Sequence, residues 1–185
     1  MAKIAAFAGS PRKDGYSRIL LDKAVETAKQ NGAEVAFYDL NARNLYGCQG
    51  CHWCRTHIGC CMDDYLKPAY DDIADADAII VATPIYFADI TGQTKMWLDR
   101  MFPMLDGVSF SPRFPGKKVA TIFSQGDSSA DRFQPAIHKF HSFLQAFGWT
   151  VEDTILCHSS SSPDFTLPAE LLEHAESAAR ALCGK

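Results

Sequence analysis

The chain has 185 residues, 47% hydrophobic and 22% charged, with a formal net charge of -4. That length supports one domain with a full core, and the composition excludes a disordered chain. The acidic balance gives no footprint for nucleic acid, and no apolar run reaches membrane-spanning length.

KIAAFAG (3–9), an apolar run closed by Gly9, predicts a buried strand. SRILLDKAVETAKQNG (17–32) sets Leu21, Ala24, Val25 and Ala28 at helical spacing and stops at Asn31-Gly32. AEVAFYDL (33–40) alternates as a strand does, and the stretch from Asn41 to Met62 has no period and predicts a loop. DDYLKPAYDDIADA (63–76) predicts a short helix with Pro68 in its first turn. DAIIVATP (77–84) is the expected central strand, with Pro84 stiffening the turn after it. TGQTKMWLDRMFPML (91–105) predicts one helix, with Trp97, Met101 and Met104 on a single face. KKVATIFSQG (117–126) predicts a strand ending in glycine, and SADRFQPAIHKFHSFLQAFG (129–148) a helix that Pro135 starts late. TVEDTILC (150–157) predicts a fifth strand. PAELLEHAESAARALC (168–183) predicts the last helix, N-capped by Thr166 or Asp164 with Pro168 in its first turn.

No linker or repeat divides residues 1–185, so a single domain is expected, with a cysteine-rich insertion at about 41–62 after the second strand. Strands alternating with helices imply an α/β fold, a doubly wound five-stranded parallel sheet with right-handed crossovers. Periodicity does not fix the strand order. In the flavodoxin-like order, 2-1-3-4-5, ligands sit where the carboxyl ends of strands 1 and 3 diverge.

Three strand-end loops therefore matter. GSPRKDGYSR (9–18) brings Ser10, Arg12 and Ser17 to a helix N-terminus, where free N–H groups and the helix dipole favour an anion such as phosphate. It has neither the GKS or GKT ending of a Walker loop nor the glycine spacing of a dinucleotide site, and the bland alternative is a turn with Ser17 as helix cap. TPIYFADITGQTK (83–95) puts Tyr86 and Phe87 at the strand mouth, and FSQGDSS (123–129) offers small polar residues and Gly126, where backbone can approach a flat ring. Together they point to a planar, phosphorylated cofactor.

In order and context, GSPRKDGYS, TPIYFADITGQTKMWLDR and SQG resemble the NADPH-dependent FMN reductase group of flavodoxin-like proteins, over Lys3 to about Trp149. With the cysteine loop added, the chain is similar to the iron-sulfur flavoproteins within that group. The resemblance implies FMN as cofactor. Ser10, Arg12 and Ser17 would hold its phosphate, Pro84, Ile85, Tyr86 and Phe87 would line the ribityl chain and ring, and Ser124 and Gly126 would face the ring. Tyr16 departs from the pattern, standing where relatives often carry a small polar residue. The resemblance also implies a homodimer or homotetramer.

GCQGCHWCRTHIGCCMDD (47–64) places five of seven cysteines in fourteen positions. A cytoplasmic location is expected, where thiols stay reduced and such a cluster reads as metal-binding or redox-active. Cys48, Cys51 and Cys54, spaced C-x2-C-x2-C, can wrap three corners of a cubane, with Cys60 or Cys61 within reach of the fourth. The resemblance selects Cys60 and a [4Fe–4S] cluster. Zinc, with His52 or His57 as substitute ligands, and free thiols are the competing readings, and a disulfide the weakest. Cys157 and Cys183 are expected to pack. His138, His141 and His174 read as surface or core residues, and His158 has no assigned role.

The expected activity is an FMN-dependent oxidoreductase passing electrons from NAD(P)H or a reduced redox protein to a small-molecule or protein acceptor, with no side chain nominated as catalytic acid or base. Its rivals are a cluster-free NAD(P)H-dependent FMN or quinone reductase and a non-enzymatic electron carrier.

Overall fold

The structure, a computed structural model, describes residues 1–162 and 164–184. Its strands are β1 (Lys3–Ala8), β2 (Glu34–Asp39), β3 (Ala78–Tyr86), β4 (Asp89–Ile90), β5 (Lys118–Ser124) and β6 (Thr150–Cys157). Its α-helices are α1 (Tyr16–Gln30), α2 (Ala69–Asp75), α3 (Gly92–Asp99), α4 (Gln134–Ala146) and α5 (Ala169–Leu182). Single 3-10 turns cover Trp53–Arg55 and Phe102–Met104.

The parallel strands run in the order β2-β1-β3-β5-β6, which is the expected flavodoxin-like order once the two-residue β4 is set aside. Alternation along each strand divides the core into two layers. Ile4, Ala6 and Ala8 of β1 pack with Leu20, Leu21, Ala175 and Ala179 of α1 and α5. Ala5 and Phe7 face the other way, toward Ile73, Trp97, Ile137 and Phe140 of α2, α3 and α4. The carboxyl ends of β1, β3 and β5 open on one edge. Among the described residues no helix is long and apolar enough to cross a membrane.

Four boundaries differ from the sequence reading, each for a local reason. The central strand continues through Pro84, paired with Ser124, to Tyr86. Its pairing with β1 ends at Ala82, so on that side a residue without an N–H is tolerated. β4 folds back on Ile85 and Tyr86 through Phe87 and Ala88, both at positive φ (50° and 65°), a hairpin turn without the usual Gly or Asn signal. Helix α2 begins only after Pro68, its N-cap, because Asp64 is drawn into an ion pair with Arg100. The helix expected over 91–105 stops at Asp99, and the 3-10 turn around Pro103 follows it.

The start of α5 is also corrected. Its N-cap is Pro168, with no side-chain cap, rather than Thr166 or Asp164. Phe165 packs its ring edge-on to Tyr16 at 4.8 Å and Leu167 packs against the α1/α5 layer, which holds the segment extended up to the proline.

Candidate functional site

The edge is tied together by a buried knot of threonines. Thr91, the N-cap of α3, accepts from the Thr94 N–H and donates from Oγ1 to the Gly9 carbonyl at 2.7 Å. Thr94 Oγ1 donates to Thr83 Oγ1 at 2.9 Å, and Gly9 N donates to the Ala82 carbonyl at 2.7 Å. The ends of β1 and β3 and the start of α3 are thus one unit. A Cβ on Gly9 would stand 1.9 Å from Thr94 Oγ1. This explains why the threonines of TPIYFADITGQTK are there, a role the sequence reading did not assign.

Beside the knot lies a cavity of about 200 Å³. Ser10, Arg12, Pro84, Ile85, Tyr86, Ser124 and Gly126 line it, drawn from all three predicted loops. Ser17 and Phe87 do not. Ser17 is fully buried in the first turn of α1, and Phe87 stands fully exposed at the hairpin tip. Ser10 Oγ accepts from the Arg12 N–H at 3.2 Å and donates to the Arg12 carbonyl at 2.9 Å, which shapes the loop. The exposed Arg12 guanidinium pairs with Asp14 at 3.3 Å, an interaction that holds the Asp14 carboxyl below its ordinary range.

The start of α1 is uncapped. Gly15 is the N-cap and supplies no side chain, so Ser17 is not the helix cap that the bland reading allows. Among the described residues only Ser17 Oγ, Trp97 Nε1 and Gln125 Oε1 are buried polar side-chain atoms without a partner, and two of these belong to this edge. An uncapped helix start, an unpartnered hydroxyl in its first turn and an arginine at its rim fit the phosphate end of FMN. Gln125 lines the cavity, and its Nε2 donates to the Ser129 carbonyl at 2.6 Å while Oε1 remains open.

Sequence reasoning missed Gly15, Tyr16, Gln125, Ser160 and Ser161, which complete the lining. Ser160 donates from N and Oγ to the Gln125 carbonyl at 3.0 and 2.8 Å. A Cβ on Gly126 would meet Ser161 Oγ at 2.1 Å, so the glycine makes room for the serine turn. The available signal was position: the serine-rich turn follows β6, whose carboxyl end lies at the same edge.

The cysteine loop forms a second centre. Cys48, Cys51, Cys54 and Cys60 line one small pocket of about 30 Å³, together with Arg100 and Pro103. Cys61 is absent from that lining and lies exposed, its Sγ 3.5 Å from Cys51 Sγ. Burial, with the neighbouring thiols of Cys60, Cys48 and Cys51, pushes the Cys54 thiol up. The Trp53 N–H, with the Cys61 thiol, lowers that of Cys51. Four soft thiols suit iron or zinc chemically. Among the described residues, however, no three Cys, His, Asp or Glu side chains form a metal-holding group. His57 stacks on Trp53 at 3.6 Å, with Nδ1 near Thr56 Oγ1.

The remaining cysteines and histidines lie elsewhere. Cys157 is fully buried and its thiol is pushed up to about 11 by burial, while Cys183 packs against the α1/α5 layer. His141 contacts Thr121 at 3.0 Å, His174 contacts Asp153 at 2.9 Å, and His138 and His158 are exposed.

Residues 2–158 match the profile of the NADPH-dependent FMN reductase family. The chain is 30% identical over 149 residues to an iron-sulfur flavoprotein of Methanosarcina thermophila, covering 80% of this chain and 76% of that one. An iron-sulfur flavoprotein of Methanocaldococcus jannaschii is 28% identical over 142 residues, covering 77% of this chain and 71% of its own. In fold, the NAD(P)H:quinone oxidoreductase of Methanothermobacter marburgensis superimposes with a TM-score of 0.73 at 19% identity, over 97% of this chain and 94% of the other.

Proposed function

The chain belongs to the NADPH-dependent FMN reductase family, and from that premise we propose an FMN-dependent oxidoreductase that also carries a [4Fe–4S] cluster on Cys48, Cys51, Cys54 and Cys60. FMN, when bound, accepts a hydride from a nicotinamide and hands electrons on singly or in pairs. Ser10 and Arg12 would hold its phosphate at the uncapped start of α1, Arg12 turning from Asp14 to do so, and the buried, unpartnered Ser17 hydroxyl would join them by turning toward the cavity. Pro84, Ile85 and Tyr86 would flank the ribityl chain and ring, Ser124 and Gly126 would face the ring, and Phe87, at the exposed hairpin tip, would reach the ring only from outside the cavity. The donor is NAD(P)H or a reduced redox protein, and the acceptor a small molecule or a second protein. The protein works as a homodimer or homotetramer in the cytoplasm, where the thiols stay reduced.

One observation carries the cluster: the three cysteines that the spacing singles out and the Cys60 that the resemblance selects line one pocket, and Cys61 lies outside it. Two relatives named as iron-sulfur flavoproteins support it. The second reading, a cluster-free NAD(P)H-dependent quinone or flavin reductase, is favoured by the lack of a metal-holding group among the described residues. Flavin, iron, sulfide and zinc analysis of protein purified without air decides. FMN with four irons and four sulfides per chain is the expected result. FMN without metal selects the second reading, and FMN that NAD(P)H never bleaches selects a carrier.

A further inference from the structure

Cys61 is the one cysteine of the loop that neither the pocket nor the proposed cluster absorbs. It is exposed, and its sulfur lies 3.5 Å from that of Cys51, itself exposed. Cys54 and Cys60 are half-buried, and Cys60 packs against the α2–α4 layer of the core, which restricts their access to an oxidant. A disulfide needs its sulfurs at about 2.05 Å, so Cys51 and Cys61 have only about 1.5 Å to close. They stand in a segment built of turns and one 3-10 turn, with Gly50 and Gly59 at positive φ beside them.

We propose that Cys51 and Cys61 form a reversible disulfide when a peroxide reaches the metal-free loop. A peroxide oxygen is attacked by one thiolate. The S–O bond forms as the O–O bond breaks, leaving a sulfenic acid and one water. The second thiolate attacks that sulfur, S–S forms as S–O breaks, and a second water leaves. In sum, two thiols and one hydrogen peroxide give one disulfide and two waters, the pair of sulfurs losing two electrons. Either thiolate can attack the peroxide first, with the same product. A thiol reductant reverses the step by exchange.

The bond removes Cys51 from the pocket-lining set. An oxidised loop therefore cannot offer four thiolates, and Cys61 acts as a resolving cysteine that stops Cys51 from passing to irreversible acids. The proposal concerns only the thiols of the metal-free loop, and it stands whether the loop binds iron, zinc or nothing in the cell.

The test uses the full chain with FMN bound, freed of metal by chelation and treated with one equivalent of hydrogen peroxide. Titration after denaturation should fall by two from the count given by the chain's seven cysteines before peroxide, and dithiothreitol should restore them. Non-reducing peptide mapping should show the link between Cys51 and Cys61. Cys60→Ser should keep that link. Cys61→Ser should abolish it and leave a dimedone-reactive sulfenic acid on Cys51. A link joining any other pair, or no link at one equivalent, overturns the proposal. So does a Cys61→Ser chain that still loses two thiols to a disulfide as fast as the wild type.

Discussion

Arg100 and Asp64 form an ion pair with both side chains 1% exposed, Nη1 to Oδ2 at 2.7 Å and Nη2 to Oδ1 at 3.0 Å. The same guanidinium donates to the Tyr46 carbonyl at 2.8 Å, and the Tyr46 N–H donates to Asp64 Oδ2 at 3.1 Å. Tyr46 and Asp64 bracket the cysteine loop, so a residue at the end of α3 clasps both ends of it. Arg100 also lines the sulfur pocket and bonds Tyr70 through Nε at 3.1 Å.

Breaking such a pair leaves a buried charge uncompensated. Asp64→Ala is expected to cost about 3–5 kcal/mol of stability in urea unfolding. Protease cleavage at Arg55 should accelerate in the folded protein, because the loop loses its clasp. A mere surface role for the pair predicts less than about 1 kcal/mol and no change in cleavage.

The pair also sets a pH dependence. Burial disfavours the Asp64 charge, but Arg100 and the Tyr46 N–H outweigh it and hold the carboxyl below its ordinary value. A folded value below the unfolded one, about 3.9, means the stabilisation is complete above that pH and is lost as pH falls through the folded value. Urea midpoints measured downward from about pH 5 should therefore fall less steeply in Asp64→Asn than in the wild type. Parallel curves would remove Asp64 from the acid response.

The unpartnered Ser17 hydroxyl gives a crossed prediction. Removing a buried polar group that has no partner stabilises the empty protein, here by about 1 kcal/mol in Ser17→Ala. The same change should weaken FMN about tenfold and leave riboflavin, which lacks the phosphate, unaffected. Arg12→Ala should likewise weaken FMN selectively. Equal losses for the two flavins would place the phosphate elsewhere.

The strands were legible because apolar runs such as DAIIVATP leave no alternative to a central strand, whereas their order followed only from the resemblance to flavodoxin-like proteins. The threonine knot was not, since a threonine in a loop carries no sign of the partner eight or eleven residues away that its hydroxyl will find. The hairpin at Phe87–Ala88 was hidden for the opposite reason: its two residues lack the turn chemistry that their backbone adopts. Seven of the nine expected cofactor residues converge because strand-end position, readable from the βα alternation, governs where they meet. Ser160 and Ser161 escaped because a serine-rich turn reads the same whether it faces solvent or closes a site.

Gly9 tests the knot directly. Its α-hydrogen occupies the space that a methyl would share with Thr94 Oγ1, so Gly9→Ala must push β1 from α3. Overpacking of this kind costs about 1–3 kcal/mol. Because the displaced carbonyl belongs to the residue before Ser10, FMN affinity should fall with stability. Thr94→Ser, which keeps the hydroxyl, should leave FMN binding close to wild type. Unchanged binding in Gly9→Ala would mean that the phosphate loop does not depend on the knot.

The choice between Cys60 and Cys61 tests the proposed cluster. Cys60 lines the pocket beside Arg100, while its neighbour Cys61 lies exposed with its sulfur 3.5 Å from that of Cys51. A fourth ligand must share a space with Cys48, Cys51 and Cys54, and Cys60 does so. Cys60→Ser is therefore expected to lose iron and sulfide when prepared without air, whereas Cys61→Ser keeps both. Both variants should retain FMN, since the cavity proposed for the flavin draws on none of these residues. Iron retained in Cys60→Ser but lost in Cys61→Ser would reverse the assignment. Zinc, or no metal, in anaerobic wild type would remove the cluster whatever the variants do.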